Sequence, residues 1–384
     1  MRYRSLGKTG LSVSELGMGC EGFADKSAGE VQTFVKQMEE HGINCIDLYS
    51  PNPSLRNHLG KALAGRRDRF LLQAHLCTVW QDGQYKRTRD IQEVVPGFEG
   101  LFFSLQTDYI DIGMIHYVDA PEDWRQVANG PIMDYAKQLQ AQGKIRCVGL
   151  SSHNPLAALE AVNSGLIDVL MFSINPCYDL MPPSEDCEVL FTPNSYQHPL
   201  RNMDPARKEL YEACERLGVG ITVMKAFGGG DLLHETLSPA GKSLTPVQCI
   251  HYALTRPAVA TVFCGAHTPE ELTDCLSYET ATEEEKDYAA ALSGFPTMQW
   301  QGHCMYCGHC APCPKGIDVA SVLKFYHLAK AQRTIPETVR EHYALLSNKA
   351  DACSRCGACE ARCPFGVPVI SAMEQAAVLF STKA

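Results

Sequence analysis

Eight of the chain's eighteen cysteines fall into two tight runs near its end, and no other feature restricts the fold as strongly. The first run is Cys304-x2-Cys307-x2-Cys310-x2-Cys313-Pro314, and the second is Cys353-x2-Cys356-x2-Cys359-x3-Cys363-Pro364. The second reproduces the iron–sulfur spacing C-x2-C-x2-C-x3-C-P, and the first is one residue shorter before its last Cys. Three cysteines at this spacing wrap one cubane, because a turn every third residue aims each thiolate at a different iron. The fourth, stiffened by the proline after it, points away and in two-cluster proteins ligates the other cluster. The spacing therefore predicts two 4Fe–4S clusters. One is held by Cys304, Cys307, Cys310 and Cys363, the other by Cys353, Cys356, Cys359 and Cys313. Structural zinc usually pairs two cysteines with two more at a distance. A disulfide framework needs an oxidising compartment, and the region after Met1 shows no apolar signal peptide.

A chain of 384 residues suits one large domain and one small one. Its 45% hydrophobic content provides for a sizeable core, yet no window approaches eighteen uninterrupted apolar residues, which argues against a membrane span. A net charge of −10 argues against nonspecific nucleic-acid binding. The other ten cysteines are scattered, mostly in apolar contexts, and behave as small buried hydrophobes. That usage fits a reducing cytoplasm.

Residues 1–295 alternate short apolar runs with amphipathic segments, the pattern of a parallel sheet. Expected strands are Glu15–Met18, Asn44–Leu48, Phe70–Ala74, Tyr109–Ile115, Ile145–Leu150, Val169–Ile174, Gly220–Met224 and Thr261–Cys264. A helical pattern follows each, several opening with Pro near the first turn. Eight strand–helix units over nearly 300 residues predict a (β/α)8 TIM barrel. A doubly wound open sheet is the alternative, but no G-x-G-x-x-G follows the first strand. Two connections are long, Tyr178–Met203 and Phe227–Thr245, and both follow strand C-termini, where barrel active sites are built. Gly294–Gly302 reads as a linker, giving a barrel over 1–295 and a small α-helical iron–sulfur domain over 296–384. There Asp318–Ala331 and Pro336–Leu346 look helical.

The opening Tyr3-Arg4-Ser5-Leu6-Gly7-Lys8-Thr9-Gly10-Leu11-Ser12-Val13-Ser14, Gly42-Ile43-Asn44-Cys45-Ile46-Asp47, Ile115-His116 and Met224-Lys225-Ala226-Phe227-Gly228-Gly229-Gly230 resemble the aldo/keto reductase family. A subgroup of that family carries a C-terminal ferredoxin-like domain with two 4Fe–4S clusters, so the resemblance spans essentially the whole chain. It implies a hairpin closing the bottom of the barrel and an NAD(P)H-dependent carbonyl reductase with an Asp–Tyr–Lys–His tetrad. Of the tetrad, Asp47 and His116 are present, Asn52 stands at the Tyr position, and His75 stands at the Lys position. For the nicotinamide cofactor the resemblance points to Ser151, Ser152, Lys225, Gly265, Ala266 and Glu271. Met171 replaces the usual Gln, Cys275 the usual Asn, and the basic residue for a 2′-phosphate is missing.

Candidate catalytic residues are thus Asp47, His75 and His116, with Tyr49 and Tyr117 as the nearest phenols to replace the missing proton donor. Each has a structural alternative as a packed or hydrogen-bonded rim residue. Gln84–Arg89 is a basic insert, either a solvated helix start or a site for an anionic substrate or cofactor phosphate. The expected function is an iron–sulfur oxidoreductase acting on a small substrate at the barrel mouth. Clusters carry single electrons and nicotinamide carries hydride, so a flavin is one mediator, and a redox partner protein one donor. For electrons to reach the mouth, the iron–sulfur domain is expected beside the C-terminal face of the barrel. The alternatives are an NAD(P)H reductase with structural clusters and a non-catalytic electron-transfer subunit.

Overall fold

The computed structural model describes residues 1–196, 200–239, 241–293, 298, 299, 302, 304–330 and 334–381. Its strands are β1 (Tyr3–Ser5), β2 (Ser12–Ser14), β3 (Leu16–Gly19), β4 (Cys45–Leu48), β5 (Leu71–Leu76), β6 (Thr78–Gln81) and β7 (Gln84–Arg87). There follow β8 (Ile110–Ile115), β9 (Ile145–Ser152), β10 (Val169–Ser173), β11 (Leu200–Arg201), β12 (Gly220–Met224), β13 (Val259–Cys264) and β14 (Met298–Gln299). The strands β3, β4, β5, β8, β9, β10, β12 and β13 pair in that order, all parallel, and β13 returns to β3 to close the barrel. All eight are the strands expected from the sequence.

Around the barrel run α1 (Ala28–Glu40), α2 (Pro53–Leu63), α3 (Ile91–Leu105), α4 (Pro121–Ala128), α5 (Pro131–Ala141), α6 (Pro155–Asn163), α7 (Pro205–Leu217), α8 (Pro246–Leu254) and α9 (Pro269–Leu276). Proline opens seven of these nine, where the missing N–H costs no hydrogen bond. Beyond the barrel lie α10 (Tyr288–Ser293), α11 (Val319–Lys330), α12 (Glu337–Ala344), α13 (Ala358–Arg362) and α14 (Val369–Ser381).

Alternation along the strands decides what faces the barrel interior. Cys45, Ile112, Met114, Cys147, Val169, Met171 and Phe263 fill it, with Leu6, Leu11 and Val13 from the β1–β2 hairpin plugging one end. That hairpin sits so close to the α7–β12 connection that a Cβ on Gly7 would meet the Gly218 carbonyl, and Gly7 has φ +52°. Two strand positions above Cys45 and Leu71, the inward residues become polar: Asp47 and Gln73. Gln73 Nε2 donates to Asp47 Oδ1 at 2.8 Å, and Thr222 Oγ1 donates to Gln73 Oε1 at 3.2 Å.

The iron–sulfur segment packs elsewhere than expected. The β14 strand of the linker pairs with β11, just ahead of α7. Residues 294–297, 300 and 301 of the expected linker lie outside the described residues. Farther on, Tyr288 Oη donates to the Met305 carbonyl at 2.6 Å, His309 Nε2 meets Asp287 Oδ2 at 2.8 Å, and His342 approaches Glu215 at 3.9 Å. Arg256 also donates to the Met305 carbonyl. Arg256 lies between α8 and β13, and Glu215 in the last turn of α7. The contact therefore falls on the flank of the barrel toward its hairpin end, which corrects the expectation of docking beside the C-terminal face. The contacts that hold it there come from Glu215, Arg256, Asp287 and Tyr288 at those helix ends, which no motif marks.

Glu212 on α7 lies in this neighbourhood beside Tyr306, and burial pushes its carboxyl up to about 7 despite Lys208. Its folded pKa is raised, so stability falls as pH climbs from about 4.5, where the unfolded carboxyl ionises, to about 7, and stays low above that. Glu212→Gln removes this loss. Urea unfolding of the anaerobic protein is expected to show a gain on the order of 1 kcal/mol at pH 8, after discounting for partial exposure, and almost none at pH 4.

Candidate active site

A single line of hydrogen bonds crosses the mouth of the barrel. Asp47 ends β4, His75 lies near the end of β5, and His116 follows β8, so three neighbouring strands present them side by side. His75 Nε2 lies 2.9 Å from Asp47 Oδ1, and His75 Nδ1 lies 2.8 Å from His116 Nδ1. His116 Nε2 lies 3.0 Å from the Tyr85 hydroxyl. Asp47 and His75 are buried, whereas Tyr85 is 42% exposed and forms the solvent end of the line.

Each of these bonds needs one donor, and a carboxylate only accepts. With both imidazoles neutral, His75 donates from Nε2 to Asp47, His116 donates from Nδ1 to His75, and Tyr85 donates to His116 Nε2. Burial, then the facing His75 and Arg89, push His116 well below the usual imidazole range and keep it neutral. One added proton reverses the two outer bonds. His75 then carries the charge against Asp47, and His116 donates to the Tyr85 oxygen. The line can thus hold or move a proton at the phenol oxygen.

Tyr85 was not among the expected catalytic phenols. It arrives on the β6–β7 hairpin, whose Gln81–Gln84 pairing leaves Asp82-Gly83 as a two-residue turn with φ +53° and +77°. Asp-Gly between alternating residues is a strong hairpin signal, and it stood in the sequence beside the basic insert. That insert is a strand, not a helix start. Lys86 pairs with Glu93 at 2.7 Å, and Arg87 stacks 4.4 Å over the Tyr117 ring. Burial raises the Tyr85 phenol, while Arg87 and Arg89 pull it back down.

The other two phenols turn away from the line. Tyr49 donates to Glu21 Oε1 at 2.9 Å, and its ring stacks parallel on His116 at 5.8 Å, walling the imidazole. The Tyr117 hydroxyl meets Cys187 Sγ at 3.0 Å. Asn52, at the family's Tyr position, caps α2 by accepting from Ser54 N–H at 2.9 Å. Cys187 also lies near Asp119 and His153, with one ligand atom of each within 4.8 Å of the others. Those groups satisfy one another: Asp119 accepts from Ser152 Oγ, from the His153 backbone and from His153 Nδ1.

The positions expected to meet a nicotinamide cofactor do not converge in the same way. Ser151 Oγ accepts the Tyr117 N–H at 2.8 Å, and Ser152, fully buried, is bonded to Asp119 and Asn154. Lys225 lies 4.8 Å over the Phe191 ring. The space above Gly265 is open, and Ala266 packs its carbonyl against Gly22. Glu271 caps the His267 N–H at 2.7 Å, placing a carboxylate at the N-terminus of α9.

In the C-terminal segment the cysteines mix across the two runs. Cys304 has Cys307, Cys310 and Cys363 as electrostatic neighbours. A separate hollow is lined by Cys310, Cys313, Cys353, Cys356 and Cys359. Cys304, Cys307, Cys310 and Cys363 therefore gather in one place and Cys313, Cys353, Cys356 and Cys359 in another, with Cys310 bordering both, and thiolates are the donors that iron–sulfur clusters take.

A closed parallel barrel with ionisable side chains across its mouth and a thiol-rich appendage defines an oxidoreductase built from two functional parts. Residues 15–248 match the aldo/keto reductase family and residues 300–367 match the 4Fe-4S dicluster domain, so the chain belongs to the aldo/keto reductase family and carries an iron–sulfur domain. It is 28% identical over 305 residues to the uncharacterized oxidoreductase YqkF of Bacillus subtilis (strain 168), covering 74% of this chain and 94% of that one. It is 25% identical over 329 residues to the aldo-keto reductase YhdN of the same organism, covering 76% and 94%. The holo structure of the aldo-keto reductase AKR11C1 from Bacillus halodurans superposes with a TM-score of 0.59 at 22% identity, over 76% of this chain and 96% of that one. Among the described residues no helix is long and apolar enough to cross a membrane.

If the sulfurs pair across the runs, Cys363→Ala removes iron from the site of Cys304, Cys307 and Cys310, and leaves the other cluster intact. Iron counts and EPR spectra of Cys363→Ala and Cys313→Ala, each compared with wild type, check this. Loss of the sequence-nearest cluster in either variant contradicts the pairing.

Proposed function

We propose that this protein is an iron–sulfur oxidoreductase that reduces, or in reverse oxidises, a small polar substrate at the barrel mouth, with Tyr85 as its proton-transfer residue. The observation that carries this reading is the unbroken line Tyr85–His116–His75–Asp47. A carbonyl substrate seated against Tyr85 receives its proton from the phenol. The relay starts from the form with the added proton on His75: His116 returns its Nε2 proton to the phenolate, and His75 passes its Nδ1 proton to His116, ending neutral with Nε2–H on Asp47. The two electrons of the reduction would come from the clusters singly, and the second proton, which goes to carbon, from solvent at the mouth. Tyr49 and the β6–β7 hairpin keep water from the imidazoles. Arg87 and Arg89, near the phenol, favour the phenolate that forms.

Two 4Fe–4S clusters, in the sets Cys304, Cys307, Cys310, Cys363 and Cys353, Cys356, Cys359, Cys313, supply electrons one at a time when bound. A redox partner protein delivers them, and the buried cysteines suit a reducing cytoplasm. No step runs through a nicotinamide. Ser152 is consumed by its own loop, and Met171 offers no amide. One observation favours a second reading: the iron–sulfur domain leans on the hairpin end, away from the mouth. In that reading the clusters are structural, and a mediator such as a flavin works at the mouth.

The anaerobic protein is expected to show iron–sulfur absorbance; flavin bands in addition favour the second reading. Dithionite-reduced protein mixed with small carbonyl compounds in a stopped-flow cell is expected to reoxidise its clusters in a substrate-dependent way. Tyr85→Phe is expected to slow this about 10²- to 10⁴-fold with iron content unchanged. Micromolar NADPH binding with turnover of simple aldehydes contradicts the reading that excludes nicotinamide.

A further inference from the structure

Arg256 is only 1% exposed, at the junction between the barrel and the iron–sulfur domain. Its Nη2 donates to the Met305 carbonyl, to Thr255 Oγ1 at 3.0 Å and to Tyr288 Oη at 3.3 Å. Among the described residues its Nε and Nη1 have no hydrogen-bond partner. The guanidinium lies 4.5 Å over the Tyr252 ring and 5.6 Å over the Tyr306 ring. Among the described residues no carboxylate forms an ion pair with it. The nearest buried acid, Asp179, is already committed, accepting from Tyr211 at 2.5 Å and Tyr252 at 2.6 Å and facing Arg207 at 3.4 Å.

A buried guanidinium with two idle donors is costly unless a negative charge lies nearby. Its bonded Nη2 reaches the first cysteine run through the Met305 carbonyl. Met305 follows Cys304, and Tyr288 and Tyr306, which flank Arg256, are both electrostatic neighbours of Cys304. A 4Fe–4S cluster on four thiolates is an anion, and its negative charge grows by one on reduction. The other charges at this junction partly cancel: Asp287 is paired with His309 at 2.8 Å, and Lys324 beside Arg256 also faces Glu215, with Glu212 near Tyr306. The second set is different. Cys356 is exposed, and the nearby Arg362, which donates to the Cys310 and Pro312 carbonyls, is itself at the surface, where water screens it.

We propose that Arg256 is the counter-charge of the cluster held by Cys304, Cys307, Cys310 and Cys363, and that it raises this cluster's reduction potential above that of the second. This rests on the two-cluster reading above. A fixed positive charge in a desolvated site favours the more negative, reduced form. The consequence is a direction for electron flow. Electrons enter at the solvent-facing cluster of Cys313, Cys353, Cys356 and Cys359 and settle on the inner cluster against the barrel.

Potentiometric EPR titration of the full chain with its clusters loaded tests this. Wild type is expected to reduce in two waves, the higher-potential one missing in Cys304→Ala. Arg256→Gln is expected to lower the reduced-to-oxidised ratio of that wave at least tenfold at fixed ambient potential, a shift of about 59 mV for one electron, and to leave the other wave in place. Arg256→Lys keeps the charge and is expected to stay near wild type. Should Arg256→Gln lose its inner cluster while Arg256→Lys keeps it at wild-type potential, the counter-charge role is equally supported. Matching potentials for the Gln and Lys variants, or a higher wave that belongs to the outer cluster, overturns the proposal. Absence of iron and acid-labile sulfide in wild type fails the cluster reading itself, so the two failures are told apart.

Discussion

The hydrogen bond between Asp47 and His75 is the contact on which the mouth of this barrel depends. Asp47 is buried, and a buried carboxylate persists only where donors meet its oxygens. Two do so, Gln73 from the neighbouring position on β5 and His75 two residues farther along the same strand. Parallel register sets both, because Asp47 pairs with Gln73 across β4 and β5, and alternation then returns His75 to the same inner face. By accepting at Nε2–H, Asp47 fixes the tautomer of His75 and so the sense of every bond out to Tyr85. Loss of this carboxylate would leave two imidazoles sharing donors with nothing to orient them.

The sequence made the barrel legible because its signals are local and repeated. Each strand is a short apolar run, most barrel helices open with a capping residue and Pro, and eight such units have few ways to close. The residues Asp47, His75 and His116 were legible as well, since they stand at strand ends. The phenol was not. Family spacing directed attention to position 52, and Asn52 is there because α2 needs an N-cap acceptor. The phenol that meets His116, and that we propose as proton donor, comes from a hairpin after β5, some thirty residues later in the chain. Asp82-Gly83 announced the turn, but only the tertiary fold shows that this hairpin bends back over His116 instead of following the sheet.

Domain placement was illegible for a different reason. The cysteine runs specify which sulfurs gather, because turn geometry and chain length act within the segment. They carry nothing about which face of the barrel the segment meets. That is decided by side chains scattered over α7, the α8–β13 connection and the start of α10, among them Glu215, Arg256, Asp287 and Tyr288. None forms a motif, and most read in sequence as ordinary helix-end residues. Arg256 resembles a surface arginine until its burial and its idle nitrogens are known.

Placing the iron–sulfur segment at the hairpin end separates two tasks that most reductases of this fold would perform together. In the proposed function protons are handled at the mouth, where Tyr85 meets solvent, while the thiol-rich segment is held at the other end of the surrounding helices. Proton transfer requires hydrogen-bond contact, so its residues must touch the substrate. Electron transfer carries no such requirement, but its direction has to be set by local charge. In the counter-charge proposal, buried Arg256, which has no carboxylate partner among the described residues, meets that need. On that proposal it would stabilise an electron near the barrel only while the two domains stay packed, so the contact that holds the domains together would also bias where charge resides. The interface would in this sense take part in the redox chemistry, and weakening it would be expected to alter cluster potential before it altered the fold of either part.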